Sequence, residues 1–146
     1  MVVRVLGADE ADVLDRVAAD VFDNAVDPQW CAEFFADPRH HLVVALDGAV
    51  VVGMASGVHY VHPDKAPELW INEVGVAPTH EGRGIGRRLV STLVAHGAHL
   101  GCREAWVLTS PTNEAAKRMY RAAGGEPDDE MSVMFTYRLG GRDGGE

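Results

Sequence analysis

The sequence predicts a mixed α/β fold in which one sheet is flanked by helices. Two observations carry this expectation. Runs of strand length rich in β-branched residues alternate with stretches of helical apolar spacing. After three neighbouring strand-like runs, the apolar period changes from two residues to about 3.6. With 146 residues the chain suits one domain with a real core, expected over residues 1–139 with a flexible tail over 140–146.

The elements follow in order. VVRVL at 2–6 predicts a first strand, and GADEADVLDRVAADVF predicts a helix capped by Asp9, with Val13, Val17 and Val21 at four-residue spacing. Pro28 opens a second helix, PQWCAEFFA, whose Trp30, Phe34 and Phe35 supply a buried face before Asp37-Pro38 stops it. HLVVAL and AVVVGMASGVHYV flank the hairpin signal Asp47-Gly48, and ELWINEVGV follows the loop HPDKAP, so these three strands should form an antiparallel meander. GRRLVSTLVAHGAHLG carries a helical pattern through Leu89, Leu93 and Leu100, flanked by Val90 and Val94. EAWVLTS predicts a strand, NEAAKRMYRAAGG a helix ended by Gly124-Gly125, and MSVMFTYRL a last strand of imperfect alternation. The expected order is β-α-α-β-β-β-α-β-α-β.

The composition narrows the function classes. A formal charge of −9 argues against sequence-independent nucleic-acid binding, which depends on Lys and Arg neutralising phosphates. It suits a cationic substrate, and equally an acidic surface that aids solubility. No apolar run approaches bilayer length and the N-terminus lacks a signal-peptide core, so a cytoplasmic location without a membrane partner is expected. Cys31 and Cys102 form no CxxC motif and read as reduced, buried thiols. His59/His62 and His96/His99 have metal-like spacing without a clear third ligand, so no metal is expected.

The most informative segment is NEVGVAPTHEGRGIGRRLV, where a strand stops at Pro78, a glycine-rich turn follows, and a helix begins near Ile85. A helix start leaves backbone N–H groups without partners. Gly82, Gly84 and Gly86 would let those groups wrap closely around an anion that the helix dipole favours. Arg83, Arg87 and Arg88 oppose that dipole and repel one another unless something negative sits among them, although arginines splayed into solvent are the alternative. Phosphate or pyrophosphate is the natural guest. Gly-Lys-Ser/Thr is missing, so the P-loop fingerprint fails. Glu104 stands before the next strand and not at its far end, which disfavours a nicotinamide cofactor.

At EGRGIG the sequence resembles the GNAT superfamily of N-acetyltransferases, whose coenzyme A signature is Gln/Arg-x-x-Gly-x-Gly/Ala. Gly84 and Gly86 match, while Glu81 replaces the first Gln or Arg, a departure that Arg83 and Arg87 can offset. A second match is NEAAKRMYRAAGG, similar to Asn-x-x-Ala-x-x-x-Tyr-x-x-x-Gly-Phe, with Asn113, Ala116, Tyr120 and Gly124 in place and Gly125 standing for the Phe. The resemblance implies a GNAT-type, mostly antiparallel sheet and acetyl-CoA as co-substrate. It places the cofactor on Glu81, Gly82, Arg83, Gly84, Ile85, Gly86 and Arg87, with Asn113 and Ala116 nearby and the backbone of Val74 and Val76 along the pantetheine arm. NEVGV is also similar to the Asp-Leu-Ala-Val-like segment of aminoglycoside 3-N-acetyltransferases.

In the family mechanism an amine attacks the thioester, so the site needs a base and an acid. Glu73, in the apolar run WINEVGV, is the candidate base. The alternative is a structural carboxylate paired with arginine or facing solvent. Strand alternation places Ile71, Glu73 and Gly75 on one face and Trp70, Asn72, Val74 and Val76 on the other, with Gly75 leaving room for substrate or marking a bulge. Tyr120 is the candidate acid, against a core tyrosine, and Asn113 is expected to position the pantetheine arm. The acceptor is expected to be a small cationic amine, best guess an aminoglycoside, held by Asp23, Asp27, Trp30, Glu73, Asp128, Asp129 and Glu130. Protein N-acetylation and a non-catalytic acyl-CoA-binding module are the alternatives. A homodimer is the assembly considered.

Overall fold

The fold was taken from a computed structural model that describes residues 1–128 and 130–140. Five strands form one sheet in the order β1-β2-β3-β4-β5. They are β1 (Val2–Val5), β2 (His40–Asp47), β3 (Val50–Tyr60), β4 (Glu68–Val76) and β5 (Glu104–Val107). All neighbours are antiparallel except β4 and β5. This is the order that hairpin connections dictate for β2 to β4 and that a helical crossover dictates for β5. The expected GNAT-type sheet and the meander at its centre are therefore present.

The helices are α1 (Pro28–Ala36), α2 (Ile85–His99) and α3 (Glu114–Ala122). Pro28 stands in the first turn of α1, where its missing N–H costs nothing, and the Asp27 carboxylate accepts from the N–H groups of Gln29 and Trp30. The apolar stripe of α2, Ile85, Leu89, Val90 and Leu93, is buried with Val43, Met54, Leu69 and Ile71 of the sheet. A Cβ at Gly97 would meet Leu69 Cδ2 at 2.8 Å, so this glycine sets how closely α2 lies on the sheet. Val94 and Leu100, expected in the stripe, are each 38% exposed at its margin. Among the described residues no helix is long and apolar enough to cross a membrane.

Two expected elements are corrected. The helix expected after Asp9 is a short 3₁₀ turn, Ala11–Asp15. Beyond it the chain is drawn alongside β3: Ala18 N–H donates to Val51 O and Val51 N–H to Arg16 O, both at 2.9 Å, making a parallel bridge between Val17 and Val51. Backbone groups that pair with a strand edge cannot also close helical turns. The last strand expected at MSVMFTYRL is likewise absent. Residues 131–139 have no regular structure, and Met131, Val133, Phe135, Tyr137 and Leu139 are 77–88% exposed. Of the tail expected at 140–146, residues 141–146 lie outside the described residues.

A histidine chain joins the sheet to α2. His41 Nε2 lies 2.7 Å from His59 Nδ1, and His41 Nδ1 lies 3.2 Å from His96 Nε2. The contacts join residues from three elements and not neighbours in sequence, and His62 is turned to Glu68 at 3.3 Å. Each His41 nitrogen faces a different ring, so a directional run of neutral imidazoles satisfies both contacts. Burial, and then the nearby His96, His59 and His40, push His41 down to about 4, with Asp37 opposing. The unfolded chain takes up this proton near the ordinary 6.5 and the folded chain does not. The stabilisation is therefore complete above that value and is lost as pH falls toward about 4. Acidification through this window should cost on the order of 3 kcal/mol and lower Tm by roughly 10 °C. Thermal scans of the native chain and of His41→Gln across the window check it, the variant being expected to show a smaller drop.

Candidate active site

The site is built where β4 changes neighbours. Ser56 of β3 pairs with Glu73 while Gly57 pairs with Ile71, so Asn72 is an extra residue in β4. A bulge in this strand was expected at Gly75; it lies instead at Asn72, while Gly75 pairs in regular register with Met54. The bulge also alters the expected faces: Asn72 and Glu73, assigned to opposite sides, line the same cavity. The space expected at Gly75 is filled as well. A Cβ there would collide with the Val21 carbonyl oxygen, so the missing side chain admits the crossing backbone and not a substrate.

At the same bulge β4 and β5 part. β5 pairs with Glu68 to Ile71 only, so residues 72–76 keep β3 on one edge and have no strand on the other among the described residues. Parallel strands that separate in this way leave backbone N–H and C=O groups facing a cleft, where an extended amide chain can bond as a strand would. Val74 and Val76 stand on this open stretch, both half-buried.

The glycine-rich turn lies at the end of β4, through the 3₁₀ turn Pro78–His80. Gly82 and Gly84 have φ of +77° and +75°, a region only glycine enters cheaply, and at neither would a Cβ touch any atom within 4 Å. Gly84 is the N-cap of α2 and offers no side-chain cap, and the first helical bond runs from Arg88 N–H to Gly84 O. The N–H groups of Ile85, Gly86 and Arg87 therefore precede the helical ladder. No acidic residue stands in this first turn, and Arg83, Arg87 and Arg88 are exposed and make no ion pair with a carboxylate among the described residues. Glu81 is exposed at the start of the loop. Open glycines, uncapped donors and unneutralised arginines fit a pyrophosphate group. Gly86 has a second task, since a Cβ there would meet Met119 Sδ of α3 at 2.5 Å.

α3 carries the second motif. Asn113 is its N-cap and accepts from Ala116 N–H at 3.0 Å, so the side-chain oxygen expected to position a ligand is already engaged in the helix start. Met119, Tyr120 and Ala123 pack on the core as one stripe. Burial raises the Tyr120 phenol above its ordinary value, so it holds its proton at neutral pH. Gly125 N–H donates to Tyr120 O at 2.9 Å, and a Cβ on Gly125 would lie 3.0 Å from the same oxygen.

Across the sheet, between the segment before α1 and strands β2 to β4, lies a cavity of about 390 Å³. Its walls include Phe22, Trp30, Phe34 and Phe35, with Asp23, Asp27 and Glu73 as the carboxylates. Asp27 is engaged in the α1 cap, which leaves Asp23 and Glu73 for a cation. Trp30, expected to be core, is 65% exposed at the cavity. Asp128 and Glu130 do not line it, being exposed beyond α3, and Asp129 lies outside the described residues. Ser56 and Asn72 line the cavity without having been singled out in the sequence, because only the bulge brings them there. No group of three or more His, Cys, Asp or Glu residues suited to a metal ion occurs among the described residues.

Residues 11–124 match the acetyltransferase (GNAT) family. The chain belongs to that family. The GNAT chain is 30% identical over 109 residues to the L-2,4-diaminobutyric acid acetyltransferase of Shouchella clausii, a match covering 73% of this chain and 58% of that one. It is 27% identical over 99 residues to the aminoglycoside N(6')-acetyltransferase type 1 of Salmonella typhimurium, covering 65% of this chain and 68% of that one. Among solved structures it resembles an aminoglycoside acetyltransferase from an uncultured soil metagenomic sample, in complex with trehalose. The TM-score is 0.81 at 19% identity, over 94% of this chain and 95% of that one, which establishes the shared fold.

Proposed function

We propose that this chain transfers the acetyl group of acetyl-CoA to a primary amine of a small cationic molecule. One observation carries the reading. Glu73 sits at the bulge where the aromatic cavity on one side and the cleft between β4 and β5 on the other meet a single strand. An amine held in the cavity would then stand beside a thioester held in the cleft.

Acetyl-CoA would supply the activated acyl group, with its pyrophosphate on the α2 N-terminus and Arg83 and Arg87, and its pantetheine amides on Val74 and Val76. Glu73 takes the proton from the attacking amine, directly or through water, and Tyr120 gives one to the departing thiolate. Orientation by the cavity walls turns the encounter into an effectively unimolecular step. The narrower acceptor is an aminoglycoside, supported by Asp23, Glu73, the acidic net charge and the relatives of that name. A compact diamine such as 2,4-diaminobutyrate is the second reading. It is favoured by a cavity of about 390 Å³ whose carboxylates outside the α1 cap are two, Asp23 and Glu73.

Thiol release from acetyl-CoA across a panel of aminoglycosides, diamines and peptides tests this. No release with any amine, despite acetyl-CoA binding, would leave an acyl-CoA-binding module. Turnover of peptides alone would move the acceptor class to proteins. Glu73→Gln keeps the shape and removes charge and basicity, so kcat should fall by roughly 10²-fold or more and the rise of rate with pH should flatten. Raising salt should raise KM for the amine, because screening weakens exposed charge pairs. Full activity in Glu73→Gln would show that another group takes the proton.

A further inference from the structure

The face of the sheet turned away from α2 continues beyond the aromatic cavity. Residues paired across neighbouring strands point to the same side, so His40 of β2, Val58 of β3, Trp70 of β4 and Trp106 of β5 make one row across it. His40 is also a wall of the cavity, and Ser56 and Glu73 form the adjoining row. The row therefore starts inside the cavity and ends on two tryptophans. Trp70 and Trp106 are stacked, with ring centroids 5.7 Å apart and planes 15° from parallel, and both are half-exposed.

Their neighbours are acidic. Trp106 Nε1 donates to the Tyr60 hydroxyl at 2.8 Å, and that hydroxyl donates to Glu68 Oε1 at 3.1 Å, so the Trp106 and Tyr60 donors are satisfied locally. Glu68 pairs across the strands with Glu104, which is exposed and has no ion-pair partner among the described residues. Burial pushes the Tyr60 phenol up, and the charges of Glu68 and Glu104 add to it, which puts both carboxylates close to the ring. Aromatic surface beside negative charge attracts a cation and repels an anion.

The spacing sets the size of that cation. At about 3.4 Å per residue, the tryptophan row lies roughly 7 Å and the Glu68 row roughly 14 Å from the row of Glu73. A four-carbon diamine with one amine at Glu73 is too short to reach the far carboxylates.

We propose that Trp70, Trp106 and Glu104 form a second acceptor subsite, which holds the distal ammonium groups of an extended polycationic amine whose reacting amine stands at Glu73. This rests on the reading of the cavity as the acceptor site, and it makes long polyamines better acceptors than compact diamines.

Equilibrium binding tests the subsite apart from turnover. The chain has three tryptophans, so Trp30→Phe leaves Trp70 and Trp106 as the emitting indoles. In that variant spermine should shift the emission saturably and bind roughly 10-fold or more tightly than 1,4-diaminobutane. Glu104→Gln and Trp106→Leu should each weaken spermine by roughly 5-fold or more and leave 1,4-diaminobutane unchanged. Asp12→Asn, an exposed carboxylate of the 3₁₀ turn, should leave both unchanged. Glu104→Gln decides alone should Trp106→Leu fail to fold. Equal affinity for the short and the long amine overturns the subsite, as does spermine binding that Glu104→Gln leaves intact. An equal loss in Asp12→Asn also overturns it, by showing general charge attraction. Spermine that binds with the expected pattern but releases no thiol from acetyl-CoA keeps the subsite and removes the transfer reading. Turnover of both amines at equal KM keeps the transfer reading and removes the subsite.

Discussion

Replacing Gly84 with glutamate is expected to abolish acetyl-CoA binding and leave the chain folded. The position is open, since a Cβ there meets nothing within 4 Å, so the new side chain has room. Its backbone, at φ +75°, would carry a non-glycine residue at a cost of about 1–2 kcal/mol, a penalty a folded domain can bear. The carboxylate would stand at the N-terminus of α2, beside Arg83 and Arg87, where the uncapped N–H groups of Ile85 and Gly86 point. It would satisfy the donors proposed to hold a phosphate and repel the phosphate itself. Affinity should fall by roughly 100-fold or more, equivalent to about 2.7 kcal/mol. Titration calorimetry measures it, and a melting curve shows whether the fold survives. Unchanged affinity in a folded variant would remove the cofactor site from this turn.

Tyr120→Phe is expected to lower kcat by roughly 10²–10⁴-fold if the phenol is the sole acid, with little change in acetyl-CoA affinity. The ring packs on the core with Met119 and Ala123, and phenylalanine preserves that packing, so stability should change little. Burial raises the phenol and keeps it protonated at neutral pH, as a donor to a leaving thiolate requires. Single-turnover kinetics separates the chemical step from product release. A chemical step at the native rate would reduce Tyr120 to a packing residue.

The glycine turn, the two motifs and the strand meander could be read from the chain because each is local. A positive φ calls for glycine at Gly82 and Gly84, and a hairpin calls for Asp47-Gly48. Helix α1 was legible for the same reason, with Pro28 at its start and Pro38 beyond its end. What failed to be legible depended on partners distant in sequence. Val13, Val17 and Val21 have helical apolar spacing, yet the backbone of residues 16–18 bonds to Val51, a choice made by the stretch of β3 that β4 does not reach and not by propensity.

The sequence by itself determined the fold class, the glycine-rich turn as the candidate phosphate site and Glu73 and Tyr120 as candidates, since all of these rest on residue type and short spacing. Only the tertiary structure decided which side chains share a space. One extra residue at Asn72 turned it and Glu73 into the same cavity, and the Val21 carbonyl claimed the gap at Gly75. Three histidines from β2, β3 and α2 met in one chain. The terminal strand was left without its sheet. Register, bulges and close approaches arise from contacts across the fold, and period-two or period-four patterns along the chain carry no record of them.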